Sequence, residues 1–200
     1  MLIEAEPDLE VVGEASDGFE AVELVERTAP DVVLLDVRMP RLDGLSAARR
    51  ILARENAPRV LILTTFGEDE YLYEALRMGA SGFLLKVAPP EQLLEGIRVV
   101  AAGDGLIDPK VTRRVIEAFG SHGITSGPPP EIESLTPREA EVLTLMAAGL
   151  ANHEIADKLF LSQATVKTHV KRVLMKLGLR DRVQAVVLAY ETGLIRPGDS

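Results

Sequence analysis

A doubly wound α/β domain followed by a small all-α domain is the architecture that this 200-residue sequence predicts. Three observations predict it. Short β-rich runs alternate with helical patterns through the first part of the chain, a Gly/Ser/Pro-rich stretch without apolar periodicity follows, and every later segment reads helical. Strand–helix alternation calls for a parallel sheet with helices on both faces. The expected boundaries are 1–118 for the α/β domain, 119–133 for a linker and 134–200 for the helical domain.

Within the α/β domain, strands are expected at residues 10–15, 31–36, 59–64 and 82–85. The run Val32-Val33-Leu34-Leu35 and the run Val60-Leu61-Ile62-Leu63 are apolar at every position. A strand that is covered on both faces requires this, because successive side chains point to opposite sides. Helices are expected at 19–27, 45–54, 68–78 and 90–102. The linker, from Gly120 to Pro130, ends in three prolines that favour extended backbone.

The helical domain opens at Thr136-Pro137-Arg138-Glu139, with Thr136 as N-cap, Pro137 in the first turn and Glu139 closing a capping box. That helix carries Ala140, Leu143, Leu145 and Met146 on roughly one side and stops near Gly149. A short helix over 152–160, a longer one from an N-cap at Ser162 to about 177, and a fourth over 181–192 follow. Short helix, turn, longer basic helix is the helix-turn-helix pattern.

Composition excludes several classes of function. The chain has no cysteine, so disulfide, thiol and iron–sulfur chemistry are absent. Its apolar runs are far shorter than the ~18 residues a membrane helix needs. No basic-then-apolar leader pattern opens the chain, and the cytosol is the expected compartment. The Gly13–Gly18 stretch lacks the Lys-Ser/Thr of a nucleotide-binding loop, and His122, His153 and His169 lack metal spacing. Asp36-Val37-Arg38 has no second acid for a phosphatase, so the chain is not expected to be an enzyme. Net charge is −9, but it is uneven: residues 158–182 hold seven bases and one acid. A basic stripe on one helix keeps nucleic acid open as a partner of an otherwise acidic protein.

Asp36, Thr64 and Lys86 each end or directly follow a successive strand, and so share the carboxyl edge of the sheet, where open α/β folds carry their chemistry. A carboxylate nucleophile, a hydroxyl for a phosphoryl oxygen and an ammonium against its charge suit phosphoryl transfer. The segment from Val32 to Gly44, together with Leu63-Thr64-Thr65-Phe66 and Gly79–Lys86, resembles bacterial receiver domains of flavodoxin-like fold. The resemblance implies that Asp36 accepts a phosphoryl group from a sensor histidine kinase. It also implies that Thr64 and Lys86 contact that group, that Phe83 is a rotating aromatic, and that Asp36 and the Arg38 carbonyl bind Mg²⁺. The chain departs from the family at its beginning. The family's first strand, which ends in two acids that hold Mg²⁺, has no counterpart, and the receiver is expected to be truncated there. Glu4, Glu6, Asp8 and Glu10 cannot replace those acids, because they precede a strand whose length separates them from the Asp36 edge by ~17 Å. A receiver that serves only as a protein-interaction domain, leaving DNA binding independent of phosphate, is the alternative.

Residues 135–195 resemble the LuxR-type helix-turn-helix domain of NarL/FixJ-class response regulators. The motifs are Leu135–Leu143, Asn152-His153-Glu154-Ile155-Ala156, Leu161–Val170 and Lys176–Arg182. On the third helix Val166, Val170, Val173 and Leu177 make an apolar stripe, with Lys167, Thr168, Lys171 and Arg172 opposite. Lys167, Thr168 and Lys171 are the expected base readers. Asn152, Ser162, Thr165, His169, Arg172 and Lys176 are the expected phosphate contacts. Ala151 stands where the family has a capping Ser or Thr, and Asn152 is expected to cap one residue later. Val183, Val186, Val187 and Tyr190 on the last helix are the expected contacts of a DNA-binding homodimer.

Overall fold

The computed structural model describes residues 2–65, 69–103, 106–107 and 130–195. The chain divides into two compact units, Met1–Asp108 and Pro109–Ser200, and each is described by itself. Most of the expected linker lies outside the described residues; its last four residues, with Ser134, form a 3₁₀ turn, Pro130–Ser134.

The first unit is built on a parallel sheet of β1 (Val32–Asp36), β2 (Arg59–Thr64), β3 (Gly82–Leu85) and β4 (Leu106–Ile107), in the order β1-β2-β3-β4. Register pairs Leu34 with Leu61 and Leu35 with Ile62, then Ile62 with Phe83 and Leu63 with Leu84. Four helices connect or flank these strands: α1 (Gly18–Thr28), α2 (Gly44–Leu52), α3 (Asp69–Arg77) and α4 (Pro90–Ala101). Ile97 and Val100 of α4 cluster with Leu61 and Leu84, with Val32, Leu34 and Leu63 packed around them. The residues of opposite parity, Leu35, Val60, Ile62 and Phe83, are equally buried. Both faces of β2 and β3 are therefore covered, as their unbroken apolar runs require.

Each of the first two helices starts on an aspartate. Asp17 Oδ1 accepts the Phe19 and Glu20 amides at 2.9 and 3.1 Å, and Asp43 Oδ1 accepts the Ser46 amide at 2.8 Å. Burial opposes the Asp17 charge, but the Glu20 amide and the Arg41 guanidinium outweigh it and hold the carboxyl below its ordinary range.

The strand expected at residues 10–15 is not in the sheet; those residues are irregular. A strand needs a ladder partner, and none of the described strands pairs with residues 10–15. β1 lies at one end of the strand order. The residues before 10 take a different course. Ile3 and Leu9 pack against the α4-side cluster. Arg98 of α4 donates to Glu6 at 2.6 Å and to both Asp8 oxygens at 2.7 and 2.8 Å. Hydrogen bonding to Arg98 lowers the Asp8 pKa.

The second unit holds α5 (Pro137–Ala147), α6 (Asn152–Leu159), α7 (Gln163–Lys176) and α8 (Arg182–Glu191). Thr136 and Glu139 form the expected capping box: the Thr136 amide donates to Glu139 Oε2 at 2.8 Å and the Glu139 amide to Thr136 Oγ1 at 3.3 Å. α6 stops one residue before the pattern suggests, because Phe160 turns to a left-handed φ of +56°. Val142, Leu143, Met146, Ile155, Val166 and Val173 form the centre of the core.

One buried ion pair ties the end of α7 to the start of α5. Lys176 Nζ donates to Glu139 Oε2 at 2.7 Å and to the Ser134 carbonyl at 3.1 Å. Glu139 is 3 % exposed. The Lys176 hydrogen bond, with the Thr136 amide, pulls the Glu139 pKa from 4.5 down to about 2. A lowered folded-state pKa adds stability that is complete above pH 4.5 and is lost as the pH falls through about 2. Replacing Lys176 with Met should therefore lower the melting temperature at neutral pH and flatten its fall between pH 4.5 and 2. Circular dichroism melts of both proteins across that window check this; parallel curves would refute the pairing.

Candidate functional sites

At the carboxyl edge of the first unit, three strand ends are laced together by backbone. The Lys86 amide donates to the Thr64 carbonyl at 2.8 Å, and the Val37 amide to Leu63 at 3.2 Å. Against this frame the side chains of Asp36 and Lys86 meet. Lys86 Nζ pairs with Asp36 Oδ2, while Asp36 Oδ1 accepts the Arg38 amide at 3.0 Å. Asp36 is 35 % exposed, so the carboxylate is reachable from solvent. Thr64 is buried at this edge, its hydroxyl donating to the Thr65 carbonyl at 3.2 Å. Phe83, 1 % exposed, lies on the same sheet face as Thr64 by register. The sequence placed Asp36, Thr64 and Lys86 at one edge, with Phe83 further back within β3, and the structure makes a direct contact between two of them, Asp36 and Lys86.

The loop after Asp36 is held by a close backbone approach. The Gly44 amide donates to the Val37 carbonyl at 2.9 Å, and a Cβ at position 44 would collide with the Asp36 carbonyl oxygen and sit 3.2 Å from Val37 Cα. Glycine is demanded there by space, which the sequence alone does not reveal.

The donor set does not fit Mg²⁺. That ion needs near-octahedral oxygen ligation, and among the described residues no cluster of three His, Cys, Asp or Glu side chains exists that could hold a metal. Asp36 and the Arg38 carbonyl are the only expected ligands present. Glu6 and Asp8 are tied to Arg98, the ninth residue of α4, about 12 Å along a helix that begins four residues after Lys86.

In the second unit, α7 buries Val166, Val170 and Val173 and exposes Lys167, Thr168, Lys171 and Arg172. Ser162 caps the helix through the Thr165 amide at 3.1 Å, and the two hydroxyls lie 2.8 Å apart. His169 is half-buried and its Nδ1 has no partner. A row of cations with a hydroxyl, on one rigid helix of 14 residues, is an arrangement that can enter the major groove of duplex DNA.

Three expectations change. Lys176 is committed to Glu139 and Ser134, because a buried carboxylate needs a counter-charge more than a surface lysine needs solvent. Asn152 does not cap α6: the N-cap is Ala151, with no side-chain acceptor, and only Glu154 reaches back to the Ala151 amide at 2.6 Å. Val183, Val186, Val187 and Tyr190 are covered within the chain, at 1–7 % exposure, and the Tyr190 hydroxyl donates to the Ala147 carbonyl at 3.2 Å. Their apolar surface fills the interior and leaves no exposed dimer face at those positions.

Comparison with known proteins agrees with both halves. Residues 1–98 match the response regulator receiver domain, and residues 133–189 match the bacterial regulatory proteins of the luxR family. Over 98 % of its length the chain is 44 % identical to the transcriptional regulatory protein YxjL of Bacillus subtilis (strain 168), covering 89 % of that protein. It is 39 % identical to the transcriptional regulatory protein LiaR of the same organism, over 96 % of this chain and 90 % of that one. Among solved structures, a LuxR-family two-component response regulator from Aurantimonas sp. SI85-9A1 superposes with a TM-score of 0.54 at 34 % identity, over 58 % of this chain and 84 % of that one.

Substituting Gly44 with Ala should destabilise the first unit by about 1–3 kcal/mol, the usual cost of forced overpacking. Thermal denaturation of the variant measures it, and an unchanged melt would show that the loop yields without cost.

Proposed function

The chain belongs to the response regulators that join a receiver domain to a luxR-family DNA-binding domain, and from that premise we propose how its residues divide the work. The protein is a DNA-binding transcriptional regulator of a two-component system. The observation that carries the residue assignment is the exposed cationic face of α7 set over a buried valine face. Lys167, Thr168 and Lys171 read base edges in the major groove. Asn152, Ser162, Thr165, His169 and Arg172 bind phosphates and supply affinity without sequence choice. Two copies act as a homodimer in the cytosol, placing two α7 helices on half-sites about one helical turn apart.

Asp36 is the phosphoacceptor in this reading. An Asp36 oxygen attacks the phosphorus of a phosphohistidine on the sensor kinase; the new O–P bond forms as the N–P bond breaks, and the histidine leaves with the electron pair. Lys86 moves from the carboxylate to the phosphoryl oxygens, Thr64 donates its hydroxyl to one of them, and Phe83 follows Thr64. Mg²⁺ serves receiver domains in general, and no step here is routed through it. A second reading is favoured by one observation: Lys86 already pairs with Asp36, and among the described residues no group of three His, Cys, Asp or Glu side chains could hold a metal beside them. On that reading the first unit is a protein-interaction domain, and DNA binding is independent of phosphate.

Acetyl phosphate separates the two readings. A phosphate-affinity gel shift that Asp36→Asn abolishes supports phosphorylation, and no shift with or without added Mg²⁺ supports the second reading. Both require operator binding. Replacing Lys167 and Lys171 with Ala should weaken it and relax its sequence preference, whereas Arg172→Ala should reduce the dependence of log K on log salt by about one. Unchanged affinity would dismiss α7 as the reading helix.

A further inference from the structure

Arg182 is the first residue of α8, where a positive charge faces the unfavourable end of the helix dipole. Its guanidinium reaches across to the start of α6 instead. Nη1 donates to Asn152 Oδ1 at 3.1 Å, and Nη2 donates to the Leu150 carbonyl. A guanidinium has donors only, so the Asn152 atom that faces it must be the oxygen. The two N–H groups of the Asn152 amide are then fixed on the other branch, and Asn152 remains partly exposed.

We propose that Arg182 is a positioning residue for DNA binding: it fixes the Asn152 amide so that its donors are presented to a backbone phosphate. The inference rests on the reading of Asn152 as a phosphate contact. Without the guanidinium the amide rotates between two orientations, one of which offers an acceptor to a phosphate and repels it. The fork also holds the Leu150 carbonyl, and so fixes the loop that leads into a helix whose N-cap, Ala151, has no capping side chain. Arg182 acts through Asn152 and does not itself touch the DNA.

The test uses the full chain, mixed-sequence duplex DNA and fluorescence anisotropy over a salt series. Asn152→Ala should weaken binding about two- to tenfold, the range of one net hydrogen bond, at an unchanged salt slope, because a neutral donor displaces no counterion. Arg182→Ala should give a loss of the same size, again at unchanged slope, and the double variant should be no worse than either single one. Arg182→Lys, which keeps the charge but not the fork, should lose part of the affinity; it stands in if the alanine variant does not fold. A slope reduced by about one in the Arg182 variants would make Arg182 itself the phosphate contact and overturn the proposal. Losses that multiply in the double variant, or Arg182 variants that bind as the parent does, would overturn it too. If Asn152→Ala leaves affinity intact while Arg172→Ala lowers it, this inference fails and the DNA-binding reading stands.

Discussion

The burial of three valines underlies the output of this protein. Val166, Val170 and Val173 lie on one side of α7 and are sealed against Val142, Leu143, Met146 and Ile155. Burial of an aliphatic side chain is worth roughly 1.5–3 kcal/mol, so rotating α7 to hide its lysines would forfeit several such contributions. The apolar side therefore sets the orientation of the charged side. Lys167 and Lys171 point outward because the valines cannot.

Which cations remain available to a ligand is then decided by intramolecular carboxylates and carbonyls. Lys86, Arg98, Lys176 and Arg182 are all engaged within the chain: with Asp36, with Glu6 and Asp8, with Glu139, and with Asn152 and Leu150. Lys167, Lys171 and Arg172 are exposed on α7. A count of charge over residues 158–182 treats all of these alike, yet Lys176 and Arg182 serve the fold while Lys167 and Lys171 face outward. Net charge of a segment measures potential interaction; geometry distributes it.

The same distinction marks what the sequence could reveal. The strands β1, β2 and β3 were legible because an apolar run covered on both faces has no other soluble use, and the α-helices among the described residues were legible chiefly from their periodicity, though the cap of α6 was not. The irregular course of residues 10–15 was not, since local propensity there is that of a strand, and pairing with a neighbour, which propensity does not report, decides whether one forms. Strand β4 has two residues and carries no pattern to read. The roles of Gly44, Arg182 and Glu139 depend on contacts 8 to 37 residues away in the chain, from Gly44 against Asp36 to Lys176 against Glu139. Sequence spacing has no access to such pairs. The placement of an arginine at the first position of α8 was the one available hint, because an isolated helix would disfavour it.

The acids at the start of the chain show why the Asp36 site stands as it does. Ile3 and Leu9 are held on the α4 face by packing, and Glu6 and Asp8 by Arg98, so these carboxylates cannot migrate to the far edge of the sheet without breaking both. Lys86 is thus the cation that faces Asp36. One ammonium balances one carboxylate, but an aspartyl phosphate carries close to two negative charges near neutral pH. The excess must be met by hydrogen bonds from Thr64 and the surrounding backbone or by solvent at the exposed side of the site.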